Sequence, residues 1–338
     1  MWLMFTLVSP TWAGDCTGEE TSPTELGSGT DADPWQLCTP AQLAAMRGPG
    51  LTGSELAGSY RLEADLDVAD YDWGLGIGPC SLFEALAFTG DFDGAGHTIS
   101  NLNTHAALWE TGLFGCIRGG TVHDLYLDGV FIAAEQQAAG AVSVWAEDAV
   151  LSDVHVTNAE IVDSQWATGG LVGVVFESTL ERVSYTGTVE GHENVGGLVG
   201  LATELVLQDT FAYGTVTGAK SVGGLVGHVD GYDTTLLQRS HATVTITHSS
   251  SAHASKVGTV VGFVWGALAV GSEAGPDAVV ALEDDDYDVI GTVIGELEGR
   301  PVAVDRGLLL DPDTYTRAGW DLETVWYPPT DRRVPTLR

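Results

Sequence analysis

Four aspartates, in two Asp-x-Asp pairs, are the first groups in this chain whose spacing could support chemistry: Asp65 with Asp67, and Asp91 with Asp93. Alternate residues of a strand share a face, so each pair presents two carboxylates together. Such a pair can contribute to a Ca²⁺ site, which needs several oxygen ligands. It can also serve as acid and base of a glycosidase, at a separation of ~5 to 10 Å. Turn chemistry competes with both readings. Asp93 precedes Gly94, where an aspartate bonds its own backbone, and His97 falls in the same turn.

Other candidates are scattered. Asp284, Asp285, Asp286 and Asp288 make an acidic run that could hold Ca²⁺, but it lacks the glycine and terminal glutamate of an EF-hand and also reads as a solvated loop. Asp124, Asp153, Arg182, Asp209 and Arg239 recur at one place in successive repeats. They read as an outward charge ladder, or as a strip that recognises sugar acids through arginine. Ser221, His192 and Asp209 have the residue types of a hydrolytic triad, but no Gly-x-Ser-x-Gly elbow is present. Trp73, Trp109, Trp145, Trp166, Trp265, Trp320 and Trp326 could stack on sugar rings or fill the core.

Composition narrows the partners. The 338 residues carry 47 Asp plus Glu against 13 Lys plus Arg, a formal charge of -34. A surface of that sign repels nucleic acid and anionic lipid, so neither is an expected partner. It suits divalent cations, basic partners, or solubility in a salty or extracellular medium. The apolar start, Met1 to Ala13, resembles a secretory signal. Beyond it no stretch reaches the ~18 apolar residues of a membrane span. Cys16, Cys38, Cys80 and Cys116 have neither Cys-x-x-Cys spacing nor a His pair at metal spacing. An even count in an exported chain favours disulfides, and Cys16–Cys38 with Cys80–Cys116 joins neighbouring segments.

These residues must be positioned by a repeat. Gly-Gly-Leu-Val-Gly begins at Gly169, Gly196 and Gly223, an interval of 27 residues both times. Degenerate copies begin at Thr111, Ala139, Gly258 and Gly291. A fixed period of this size marks a repeat architecture. Leu125 and Leu127, Val154 and Val156, and Val183 and Tyr185 fall at equivalent places, two residues apart, as neighbours on one strand face must. Stacked rungs would line Leu151, Leu180 and Leu207 into one interior column. After residue 207 the parity is open: either Thr210 and Ala212 or Phe211 and Tyr213 turn inward. The expected fold is an all-β parallel β-helix with a short N-terminal capping helix. Thr39, Pro40 and Gln42 form the capping signature of that helix. The expected layout is a signal over 1–13, a flexible acidic tether over 14–33, a cap over 34–57, the β-helix over 58–310 and a closing segment over 311–338. Trp320 and Trp326 are expected to plug the far end.

With its following strand and Gly-Thr-Val-x-Gly (Gly187 to Gly191, Gly214 to Gly218), the Gly-Gly-Leu-Val-Gly phrase resembles the GLUG repeat of bacterial surface and secreted proteins. The blocks Asp33 to Leu43, Ala64 to Asp67 and Phe88 to Leu102 are similar to the usual N-terminal portion of that family. Gly319 to Trp326 and Val334 to Leu337 are similar to its closing segment. The resemblance covers about residues 33 to 338. It implies a right-handed β-helix, export, and a place among adhesin-like or protease-associated surface proteins. No His-Glu-x-x-His signature is present.

The expected function is therefore a secreted or cell-surface binding or adhesion module without catalysis. Its partner would be a surface glycan or an extracellular protein, the chain a monomer, and calcium the one candidate cofactor. The alternatives are a polysaccharide lyase or glycoside hydrolase on the same scaffold, and a purely structural stalk.

Overall fold

Gly169, Gly196, Gly223 and Gly258 are in-register partners on parallel strands, so the repeated phrase stacks upon itself. The computed structural model describes residues 16–47, 51–79, 86–104, 110–134, 138–163, 165–249, 256–271, 279–282, 288–299, 301–304, 308, 310–317, 320–330 and 334–338. It is a parallel β-solenoid of about 8 turns, with few helices. The period is kept because neighbouring backbones meet where a side chain would stand. A Cβ on Gly197 would lie 2.1 Å from the Gly224 carbonyl oxygen and 2.8 Å from the Ala212 Cβ.

Interior columns run the length of the stack. Tyr60, Phe92, Val122, Leu151, Leu180, Leu207, Leu237 and Val270 are successive register partners. All but Val270 are fully buried. A second column runs Leu127, Val156, Tyr185, Ala212 and Ala242. The parity therefore persists after residue 207. Ala212 is inside and Tyr213 is 50% exposed. The second glycine of each phrase faces this column whatever its size: Gly170 faces Tyr185, Gly197 faces Ala212 and Gly224 faces Ala242. Thr210 and Ser240 are buried hydroxyls that satisfy each other, with Thr210 Oγ1 donating to Ser240 Oγ at 2.9 Å and Ser240 Oγ to the Gln238 carbonyl at 2.7 Å.

The N-terminal part differs from the expected layout. Thr39 caps the helix Pro40–Ala45 through a complete capping box, and Leu43 and Met46 are fully buried. Residues 16–33, however, are not a tether. Cys16 is disulfide-bonded to Cys38, Thr39 Oγ1 donates to the Glu20 carbonyl at 2.6 Å, and Gln42 Nε2 donates to the Ser22 carbonyl at 3.1 Å. The helix cap thus spends its remaining donors on the acidic segment and holds it down. The first solenoid strand, Trp35–Leu37, pairs with Ser59–Leu62, so the stack begins inside the segment expected to form the cap. Cys116 is also disulfide-bonded. Its expected partner Cys80 lies outside the described residues, as do the signal segment 1–13 and Trp109.

The closing segment also departs from expectation. Among the described residues, the packing partners of Trp320 and Trp326 lie on a flank of the stack, not on an end plug. With Tyr315 these tryptophans pack against Phe211 and Val280 on the outer flank of consecutive rungs, in contact with His241. Phe211, His241 and Val280 are register partners facing outward, and this apolar stripe draws the segment to the flank.

Candidate functional site

The corners of the coil carry the charge. Asp124, Asp153, Arg182, Asp209 and Arg239 all adopt positive φ, between 42° and 55°. The column read from the sequence is thus a column of left-handed corner residues, where aspartate is better tolerated than most residues. Its members pair across rungs. Arg182 binds Asp153 with Nε–Oδ1 and Nη2–Oδ2 both at 2.7 Å. Arg239 binds Asp209 with 2.9 and 2.7 Å. The Asp209 carboxylate also accepts from Trp326 Nε1 at 3.3 Å. Asp209 is therefore committed to the ladder, and Ser221 is a buried strand residue partnering Asn194.

The four predicted aspartates separate into two roles. Asp65 Oδ1 accepts from the Thr98 amide at 2.9 Å and faces His97 Nδ1 at 3.2 Å. Asp67 Oδ1 accepts from Asn101 Nδ2 at 2.9 Å and from the Ala69 amide at 3.0 Å. These bonds favour the ionised forms and hold both carboxyls below their usual range. Both groups fasten corners. Asp91 and Asp93 instead converge on a residue that spacing did not single out, His123. Asp93 and His123 are register partners on adjacent strands, and Arg61 stands opposite Asp93 on the other side.

His123 is enclosed by carboxylates. Its Nε2 is 3.4 Å from Asp91 Oδ2, and its Nδ1 is 2.8 Å from Asp124 Oδ2 and 3.7 Å from Asp93 Oδ1. The hydrogen bond to Asp91, followed by that to Asp124, outweighs partial burial and pushes the imidazole up to about 9. His123 is then a cation at neutral pH, and it compensates the charge of its neighbours. Asp93, His123 and Asp124 could together present three ligand atoms to a metal ion within 4.8 Å of one another. An ion would first have to displace the imidazole proton. Asp93 also retains its turn role, accepting from the Ala95 amide at 2.7 Å. Of the acidic run, Asp284, Asp285 and Asp286 lie outside the described residues, and Asp288 begins the strand Asp288–Glu298 as an exposed residue.

A second cluster lies on a sheet face. Trp145 and Phe176, on adjacent rungs, stack with ring centroids 5.6 Å apart and planes at 10°. Trp166 adds its ring 5.8 Å from Trp145. All three are half-buried and pack on Val174 and Leu201, which are on the outer side of the sheet. Next to Phe176 the corner residues Asp148, Glu177 and Glu204 all have positive φ, and consecutive backbone bonds stack them into a carboxylate edge. The tryptophans were visible as candidates in the sequence. Phe176 was not: the rung register sets Val174 beside Trp145, and Phe176 reaches the Trp145 ring from two residues further along the same strand face.

No family model matches the chain. Halomucin from Haloquadratum walsbyi is 32% identical over 177 residues, which is 50% of this chain and 2% of halomucin. The chain thus spans a small fraction of the curated relative it matches. A candidate immunoglobulin A1 protease from Bacteroides ovatus superposes with a TM-score of 0.68 at 20% identity, over 93% of this chain and 95% of that structure. An IgA1 protease superposes at 0.51 and 15% identity, over 84% of this chain and 24% of that one. The likeness to these structures is one of fold. The halomucin match and the Cys16–Cys38 disulfide are consistent with an extracellular β-helical module. No helix among the described residues is long and apolar enough to cross a membrane.

Proposed function

We propose that this chain is a secreted or cell-surface β-helical binding module of the GLUG-repeat kind, and that its aromatic flank takes a surface glycan without cleaving it. The observation that carries this reading is the near-parallel stack of Trp145 on Phe176 beside the carboxylate edge of Asp148, Glu177 and Glu204. Flat aromatic faces suit the apolar faces of sugar rings, and carboxylates accept from sugar hydroxyls. The rungs beneath are held by the interior columns, so the platform is pre-organised. Non-catalysis is favoured by the engagement of the candidate acid–base carboxylates: Asp91 Oδ2 lies 3.4 Å from His123 Nε2, and Asp93 Oδ1 accepts from the Ala95 amide at 2.7 Å. The protease named for the fold neighbours is a property of those proteins, and this chain spans only 24% of one of them.

A glycan array tests the reading. The wild-type chain should bind a restricted set of glycans, and Trp145→Ala should lose them while keeping the wild-type circular dichroism and melting temperature within a few degrees. Unchanged binding by Trp145→Ala would move recognition elsewhere. Binding to no glycan at all would favour a purely structural stalk.

A further inference from the structure

The sheet that carries Trp145 and Phe176 continues for several rungs towards the C-terminal part of the stack. Val175, Ala202, Val229 and Val264 are successive register partners and all belong to the interior. Strand alternation therefore turns the residues that follow them outward: Phe176, Thr203, Asp230 and Trp265. Phe176 pairs with Thr203, and Asp230 with Trp265. Trp265 is 60% exposed, and Ile294, its partner on the following rung, 54%. An aromatic face thus recurs three register steps beyond Phe176, which at ~4.8 Å per step is about 14 Å along the axis. Thr203 and Asp230 lie between the two aromatic positions and offer hydrogen-bonding groups.

The ground between them is acidic. Asp230 and Asp233 are exposed, and the corner residues Asp148, Glu177 and Glu204 run past Phe176. Desolvation, then the charges of Asp233 and Glu177, push the Glu204 carboxyl up, so these groups crowd one another. Of the cations nearby, Arg118 is paired with Glu147 at 2.9 Å, and Lys256 lies over the Phe263 ring at 3.9 Å.

We infer that Phe176 and Trp265 mark the two ends of one extended site, which takes a linear glycan bearing free amino groups and lying along the solenoid axis. This assignment rests on the glycan reading above and adds the length and the charge of the ligand. A span of about 14 Å is longer than a disaccharide, so one chain of several sugars engages both aromatic faces. Its ammonium groups make charge-assisted hydrogen bonds to the carboxylates between. A chain of uronic acids would meet like charge there, and an N-acetylated chain would leave the carboxylates uncompensated. The interior columns fix the spacing of the rungs, so both faces are in place before the ligand arrives.

Titration of the whole chain with fluorescently labelled β-1,4-linked glucosamine oligomers, from dimer to hexamer, provides the test. At pH 6 the sugar amines carry charge and exposed carboxylates stay ionised. The hexamer should bind at least tenfold more tightly than the dimer. Trp265→Ala, at an exposed position, should bring the hexamer down to the affinity of the dimer and leave the dimer within twofold of wild type. Hexamers of N-acetylglucosamine and of galacturonic acid should bind at least tenfold more weakly than the glucosamine hexamer, and Glu204→Gln/Asp230→Asn should narrow that gap at least threefold. Equal affinity for dimer and hexamer, an unchanged hexamer affinity in Trp265→Ala, or equal binding of either comparison hexamer would each overturn the inference. Binding of every length that is lost in Trp145→Ala and unchanged in Trp265→Ala would leave the glycan reading standing and remove the extended site. No binding of any glucosamine oligomer would overturn the inference outright, and the array, which carries other glycans, decides separately whether the glycan reading falls with it.

Discussion

Arg239 grips Asp209 bidentately across one rung, and the same carboxylate accepts from Trp326 of the closing segment. The Asp209 side chain is 8% exposed and that of Arg239 22%, so this pair is largely removed from water. Removing one partner of a buried pair costs about 3 to 5 kcal/mol, because the other charge is left uncompensated. Arg239→Ala should therefore lower stability by ~2 to 4 kcal/mol, the lower bound allowing for residual solvation of Asp209. It should also loosen the closing segment, seen as faster exchange at Trp326. Arg118 pairs with Glu147 in the open, each 43% exposed. Arg118→Ala should change stability by less than ~1 kcal/mol in the same denaturant titration. Equal losses at the two sites would contradict the distinction.

Two histidines should bend the pH profile in opposite directions. His241 is fully enclosed, with Nε2–H donating to the Pro335 carbonyl at 3.0 Å and Phe211, Trp320 and Trp326 around the ring. Burial pushes it down to about 4, opposed by the bond to Pro335. Below the ordinary value of 6.5 the unfolded chain takes a proton that the folded chain refuses. Stability is therefore full above pH 6.5 and is lost as pH falls towards 4, by up to about 3 kcal/mol. His123 is raised to about 9, so its contribution is complete below pH 6.5 and gone once pH has risen through 9. Thermal melts from pH 4 to 10 should show His241→Gln flattening the acid limb and His123→Gln the alkaline limb. His228, pushed down to about 4 mainly by burial, will leave part of the acid limb in place.

The glycine phrase should tolerate almost nothing. Gly197→Ala puts a methyl 2.1 Å from the Gly224 carbonyl oxygen, which is backbone and cannot swing aside. The expected cost is above ~3 kcal/mol, at the high end for overpacking. Ala44→Gly, in the capping helix, should cost only ~1 kcal/mol through helix propensity. Soluble expression and urea midpoints compare the two directly.

Salt should stabilise the fold. With 47 acidic against 13 basic residues, repulsion between like charges outweighs the exposed ion pairs, which are worth at most ~1 kcal/mol each. Raising NaCl from 0.05 to 1 M shortens the screening length from above 10 Å to about 3 Å. The melting temperature should rise by several degrees. A fall would mean that the corner ladder contributes more than the net charge removes.

Much of this architecture was legible because it is periodic. Gly169, Gly196 and Gly223 announce the stack, and Leu151, Leu180 and Leu207 announce its interior. The capping box at Thr39 is local chemistry and was equally readable. What escaped was contact between distant segments. Trp320 and Trp326 have the composition of an end plug, and only the outward stripe of Phe211, His241 and Val280 decides that they lie on the flank. Residues 16–33 have the composition of a tether, and the Cys16–Cys38 bond and the Gln42 side chain fold them down. At the candidate sites the same division holds. The Asp91 and Asp93 pair was visible, but His123 is 30 residues beyond Asp93 and joins it only through the rung register.

The central claim is that the flank recognises a glycan without turning it over. Its most direct measurement is reducing-sugar release from the best glycan found on the array, by wild type and by Asp91→Asn/Asp93→Asn. Both proteins should bind the glycan, and neither should release reducing sugar. Release by wild type that disappears in the double variant would contradict it and make the His123 corner a hydrolytic site.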